Sequence, residues 1–218
     1  MARRTKEDAL ATRHQLLDAA ERVFSEKGVS RTSLHDIAQA AGVSRGAIYW
    51  HFKNKADLFN AMLERITLPM EEALHQIGHD AAQDPLDELR RAILEALRKI
   101  ASDERTRRVF EVATLKVEYV DELLAVKARH LQAHVDGERE IRRSLLEAAS
   151  RRAVQLPIPP SAASQGLHAM VVGLIQSWLM APEAFDLVDT ADRGIGVYLA
   201  GLGLALEPGC PRGVSTGT

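Results

Sequence analysis

The sequence predicts an all-α protein, and three observations point there. Apolar residues recur at helical spacing from end to end, while the period-two alternation expected of strands is nearly absent. Helix start and stop signals fall where that periodicity breaks, at Gly28, Ser33, Gly42, Ser44 and the proline-rich stretch 155–160. The 218 residues, 46% of them hydrophobic, suffice to bury a core as one large domain or as a small module joined to a larger one.

Taken in order, Leu16, Ala19, Ala20, Val23 and Phe24 form one apolar stripe on a first helix, and Gly28 is placed to end it. Ser33 and Asp36 read as a capping box opening a short second helix whose inward face is Leu34, Ile37, Ala38 and Ala41. Gly42 and Val43 stop it, and Ser44 caps a third helix running through Ile48 to His51. A long helix begins near Ala56 with Leu58, Phe59, Met62, Leu63 and Ile66 facing inward, and Pro69 is expected to disturb it. Past a polar stretch at 79–85, helices are expected near 86–101, 104–115 and 119–152, then, after the 155–160 break, near 162–181 and 186–206. A Gly-, Ser- and Thr-bearing tail, 207–218, is expected to be disordered. There is no internal repeat.

Charge divides the chain. The net −2 hides ten Lys/Arg against seven Asp/Glu in residues 1–60 and eighteen against twenty-three in the remainder. A mildly basic front on an acidic chain suggests a phosphate-facing module, with residues 1–9 a basic arm ahead of it. The single cysteine, Cys210, excludes an intramolecular disulfide and suits a reducing compartment. The N-terminus lacks the apolar core of a signal peptide, and no apolar run approaches a membrane span, so a cytoplasmic location with no membrane partner is expected. No nucleophile and base pair, phosphate loop or metal-ligand cluster stands out, which argues against an enzyme and against any cofactor.

Function rests on residues 33–52. A helix-turn-helix needs a small residue where its helices cross, a glycine for the turn and a branched apolar anchor in the second helix, and Ala38, Gly42 and Ile48 supply them. The groups left facing outward are Ser44, Arg45, Gly46, Ala47, Tyr49, Trp50 and His51. Arg45 is the candidate base reader, since a guanidinium can bond guanine twice. Tyr49 and Trp50 join flat apolar bodies to polar tips, and adjacent helical residues point about 100° apart, so both are not expected in the core. Lys55, near a helix N-terminus, suits a phosphate.

The stretch 11–59 resembles the DNA-binding domain of the TetR/AcrR family of repressors. It carries Phe24 through Gly28, Thr32-Ser33, Ile37-Ala38, the run from Ala41 to Phe52, and Lys55 through Phe59. The resemblance implies about nine helices, a DNA-binding domain over 10–55, and a ligand-binding and dimerisation domain over 56–206. It also implies a homodimer through the last two helices. It matches Thr32, Ser33, Ser44, Arg45, Tyr49, Trp50, His51 and Lys55 to positions that touch double-stranded operator DNA. Beyond the head, Asp84-Pro85-Leu86, the run 105–108, Lys116 with Glu118, Gly173-Leu174-Ile175 and Trp178-Leu179 are similar to repressors of resistance-nodulation-division multidrug efflux pumps.

That branch implies a cavity for hydrophobic small-molecule inducers among the middle helices, lined here by Ile66, Leu89, Ile93, Ala96, Phe110, Thr114, His168, Val171, Val172, Ile175 and Gln176. Phe110, Thr114, Val172 and Gln176 stand where close relatives carry more polar side chains, so an apolar, weakly discriminating pocket is expected. The chain is thus expected to be a ligand-released repressor of an efflux operon on a pseudo-palindromic operator. A regulator of another regulon is the alternative, and a helical enzyme using the same cavity is disfavoured.

Other features read more plainly. His75/His79 and His130/His134 have the i, i+4 spacing that puts two imidazoles on one helix face, but lack the Glu of a zinc-protease motif and are read as surface or inter-helix contacts. Gly194, Gly196, Gly201 and Gly203, with Tyr198, Leu199 and Leu202, suggest close packing at a dimer seam or within the chain. The run Arg105, Thr106, Arg107, Arg108 is read as a solvated face or helix-end contact.

Overall fold

The computed structural model describes residues 2–78 and 82–205, with side chains from Lys6 onward. The expected tail at 207–218, with Cys210, and His79 lie outside the described residues. Nine α-helices are described, with no strand among the described residues. α1 (Ala2–Lys27), α2 (Leu34–Ala40) and α3 (Arg45–His51) form the head. α4 (Lys55–His75) leads into a body of α5 (Pro85–Ser102), α6 (Glu104–Leu115), α7 (Leu124–Arg151), α8 (Pro160–Met180) and α9 (Leu187–Gly201).

Local chemistry sets most of the helix starts. Ser33 Oγ accepts the Asp36 N–H at 3.2 Å while Asp36 accepts the Ser33 N–H at 2.9 Å, the reciprocal box expected. The Ser33 hydroxyl, the Ser33 N–H and Lys27 hold the Asp36 carboxyl far below its ordinary value. Ser44, Asn54, Asp84, Asp103 and Asp186 each accept a first-turn backbone N–H of α3, α4, α5, α6 and α9, a cap worth about 1 kcal/mol apiece. Gly28 and Gly42 end α1 and α2 at φ of +78° and +67°, where an L side chain is strained.

Several boundaries differ from expectation. The basic segment 2–9 is no separate arm but the first turns of α1. α4 continues through Pro69 to His75, because the proline lies on the exposed side of the helix, where water can serve the carbonyl left without a donor. The helix expected from 119 begins at Leu124, after a 3₁₀ turn at Asp121–Leu123. α9 ends at Gly201, and Gly203, at φ +76°, lies beyond it.

Two apolar clusters hold the chain. In the first, Leu16, Phe24, Ile37, Ile48 and Phe52 of the head pack with Phe59 of α4, with Val109 and Val112 of α6 and with Leu123 and Val126. Head and body therefore share one core. The second joins α5, α7, α8 and α9 through Leu89, Ile93, Leu97, Leu145, Leu167, Trp178, Ile195 and Leu199.

Candidate nucleic-acid interface and small-molecule cavity

The crossing of α2 and α3 is built as its residue types demand. Ala38 and Ile48 are buried, and the Val43 N–H donates to Ala38 O at 3.0 Å across the turn. Gln15 of α1 donates to Ala41 O at 2.6 Å and ties that turn to the head. With Ile48 pinned inward, the rest of α3 faces out. Ser44, Arg45 and Gly46 are exposed, Tyr49 is 50% exposed and Trp50 73%. An indole that open on a well-packed head is unusual, since burying it would be favourable by about 2–3 kcal/mol. The Arg45 guanidinium lies 6.0 Å from the Tyr49 ring centroid, and nothing but the Ser44 hydroxyl approaches Gly46. His51 is half-buried against Trp50, and burial, then the nearby Arg13 charge, lower its pKa and favour the neutral ring.

Two residues of the expected DNA set face inward instead. Thr32 is 2% exposed and its hydroxyl donates to Gly28 O at 2.7 Å, so it secures the turn before α2. The Lys55 ammonium is buried, donating to Ser30 O at 3.2 Å and pairing with Glu122 at 2.5 Å. Its sequence neighbour Lys53 is exposed instead, on a shallow groove with Arg31, Ser33 and Tyr49. Ser33 is exposed, although its hydroxyl already serves the cap.

The run 105–108 is neither a second basic patch nor a freely solvated face. Arg105 bonds Asp18 at 2.6 Å and Glu21 at 3.1 Å, and Arg65 of α4 reaches the same two carboxylates. Glu21 is almost fully buried, so α1, α4 and α6 meet at one ion network. Arg107 lies 5.0 Å over the Trp178 ring. Lys116 adds a second tie, donating to Ser25 O at 2.8 Å while its carbonyl accepts the Val29 N–H.

A cavity of about 360 Å³ opens among α4, α6, α7 and α8. Six of the expected lining residues meet there: Phe110, Thr114, His168, Val172, Ile175 and Gln176. Five do not. Leu89 and Ile93 are buried in the body core, because the inward face of α5 packs on α9 and α7, and Val171 packs against the same core. Ile66 and Ala96 line a separate, smaller cleft between α4 and α5.

Sequence reasoning missed the other wall. Leu63, Thr67 and Glu71 of α4, Val117 and Tyr119 of the following segment, and Arg129, His130 and His134 of α7 all line the cavity. The expectation of an apolar pocket with few groups to orient a ligand is therefore corrected, since one side is apolar and the other carries titratable groups. Arg129 bonds both Glu71 oxygens at 2.8 Å; burial works against its charge, and Glu71 and Glu64 more than offset that. His130 and His134 are hydrogen-bonded through their Nε2 atoms at 2.9 Å, an intrahelical contact beside the cavity. Their i, i+4 spacing was the signal that could have revealed this wall. No group of three or more His, Cys, Asp or Glu is arranged to hold a metal ion among the described residues.

At the far side of the body, α8 and α9 present Met180 and Val197, 64% and 75% exposed, with open space above Gly173, Gly196 and Gly201. Gly194 and Gly166 instead serve intramolecular packing, a Cβ at the first meeting the Met170 sulfur and one at the second colliding with the Tyr198 ring. No helix among the described residues is long and apolar enough to cross a membrane.

Known proteins share this construction. Residues 16–62 match the family described as bacterial regulatory proteins, tetR family, and residues 84–203 match the MAATS-type transcriptional repressor, C-terminal region. The HTH-type transcriptional regulator TtgR of Pseudomonas putida is 36% identical over 199 residues, covering 91% of this chain and 95% of its own length. NalD, the secondary repressor of the MexAB-OprM multidrug efflux pump in Pseudomonas aeruginosa, superposes with a TM-score of 0.80 at 37% identity, over 90% of this chain and 98% of that one. A SmeT–triclosan complex gives 0.80 at 31% identity over 94% and 99% of the two chains. SmeT is described as the repressor of the Stenotrophomonas maltophilia multidrug efflux pump SmeDEF.

Proposed function

The chain belongs to the tetR family of bacterial regulatory proteins, and on that footing we propose that it is a dimeric repressor of a multidrug efflux operon, released from its operator when a small organic molecule fills the cavity among α4, α6, α7 and α8. It is a regulator and not an enzyme. The observation that carries the reading is the position of α4. Its first residue, Lys55, sits in the head beside α3, and its later turns, with Leu63, Thr67 and Glu71, are a wall of the cavity. A ligand that displaces this wall bears directly on the head. Relatives described as repressors of multidrug efflux pumps, one of them solved with triclosan, support the operon and the class of effector.

Arg45 reads bases in the major groove, Tyr49 and Trp50 rest on sugar, phosphate or a thymine methyl, and Ser44, His51 and Lys53 hold the backbone. Two heads on successive major grooves of one DNA face need a separation of about 34–36 Å, so the operator is a pseudo-palindrome. The exposed faces of α8 and α9, with Val197 and the open glycines, form the dimer seam. A ligand weakens DNA binding only by its preference for the form whose heads are wrongly spaced.

The test is fluorescence anisotropy with duplex DNA from upstream of the protein's own gene, titrated at several salt concentrations with and without a panel of apolar compounds. Binding that falls steeply with salt, is reversed by some compounds and weakens roughly tenfold or more in Arg45→Ala is expected. Affinity that Arg45→Ala leaves intact would refute the assigned reading helix, and binding that no compound disturbs would refute ligand release.

A further inference from the structure

The titratable wall of the cavity is organised in a way that indicates the kind of ligand it takes. His130 and His134 of α7 face each other through Nε2 atoms 2.9 Å apart, a distance that one proton must bridge. Such a pair exists either neutral, one ring donating to the other, or as a monocation with both Nδ1 atoms protonated. A second charge would break the bond. The His168 ring of α8 lies edge-on to His134 with centroids 4.8 Å apart. Gly137 lies against it, a Cβ there standing 3.4 Å from His168 Nε2, at ordinary contact distance.

Few anions reach this wall, and those of α4 are already engaged. Among the charged groups of α4, Glu71 and Glu64 are both bonded to Arg129 of α7. From α7 itself Glu138 stands at the edge of the wall, 4.0 Å from His168 Nδ1, and favours the charged ring, though burial and His134 outweigh it. From the segment before α7 comes the Tyr119 phenol, which burial keeps protonated. α6 contributes Phe110, Ala113 and Thr114, none of them charged. Burial, then neighbouring His134, holds both His130 and His168 below the ordinary imidazole value, so in the empty cavity they are neutral at and above neutral pH.

We infer that this cavity takes weak organic acids, a flat apolar body lying among Leu63, Phe110, Val172 and Ile175 while its carboxylate meets His130, His134 and His168, which gain one proton from solvent as the acid binds. The inference rests on the cavity being the effector site. The sign follows from linkage: the complex holds more protons than the free protein, so affinity is highest at low pH and falls as pH rises through the imidazole range. An aromatic carboxylate is ionised throughout that range and contributes no slope of its own.

Calorimetry on the full-length protein with naphthoate and biphenyl carboxylate, each against its neutral primary amide, between about pH 6.5 and about pH 8.5, tests this. The acids should lose roughly threefold to tenfold in affinity per pH unit and take up between about half and one proton, read from two buffers of different ionisation enthalpy. The amides should bind without a pH slope. In His134→Gln, whose folding is checked by its melting transition, the slope and the proton uptake of the acids should vanish. Amides that bind alongside acids with a flat profile would overturn the proton-coupled recognition and leave the effector cavity standing. Failure of acids and amides alike would overturn both together.

Discussion

Trp50, 73% exposed, and Lys55, buried only a short way along the chain, illustrate how far a residue's type is from its role. An indole at the surface is costly unless a partner covers it, and a lysine beside a helix N-terminus reads as a phosphate ligand until Glu122 and Ser30 are seen to hold it. At this scale the exposed Lys53 and the engaged Lys55 separate cleanly. Lys53→Ala should lower the slope of operator binding against salt by about one and weaken binding on every DNA sequence alike. Lys55→Ala should leave that slope nearly unchanged while lowering the melting temperature, because it removes an ammonium whose partners lie within the fold. Salt titrations and thermal melts of the two variants check this, and equal loss of slope in both would show that Lys55 leaves Glu122 for DNA. Tyr49 and Trp50 were legible from sequence because helical geometry turns them about 100° and about 200° from Ile48, and Arg45 because it follows the Ser44 cap at the open end of α3. Thr32 and Lys55 were not, because their partners are backbone carbonyls and a side chain brought in by folding.

The elements themselves follow from local rules wherever a cap or an apolar stripe exists, as at Ser33, Ser44 and the face of α1. The start of α7 has no side-chain cap, and its expected boundary was several residues early. Between elements the decisive feature is the junction of α1, α4 and α6, where Asp18 and Glu21 meet Arg65 and Arg105. Glu21→Gln would leave two guanidinium groups sharing an uncharged amide in a nearly buried site. Since Arg105 is substantially exposed and partly screened, a loss of about 1–3 kcal/mol is expected in denaturant unfolding. Operator affinity should fall with it if this junction also fixes the head on the body. Unchanged stability would mean that water replaces the network at no cost.

For the whole molecule, head and body share a core through Val109, Val112 and Leu123, so displacement of the α4 and α6 walls of the cavity is transmitted by packed side chains. The segment that supplies Val117 and Tyr119 to the cavity also carries Glu122 to Lys55, a second physical link between cavity and head. In the proposed dimer the face of α8 and α9 would set the spacing of two heads. Val197→Asp, a charge in the centre of an apolar seam, should convert the dimer to monomer in light scattering and reduce operator affinity by more than about tenfold, since each half-site then binds alone. A variant that stays dimeric would place the seam elsewhere.

By itself the sequence determined the helical class, the helix-turn-helix with Ala38, Gly42 and Ile48 in their places, most caps, and which side chains of α3 point away from the core. All of these are set by residues within a few positions of one another, where periodicity and capping act directly. Tertiary structure alone decided that Leu89 and Ile93 belong to the core and not to the cavity, that Lys55 is held by Glu122, and that Arg105 crosses to Glu21. It also turned a histidine pair noted only for its spacing, together with His168, into one wall of a cavity. Those outcomes depend on which faces of α4, α6, α7 and α8 meet, and packing between helices far apart in the chain leaves no period in the sequence from which to read them.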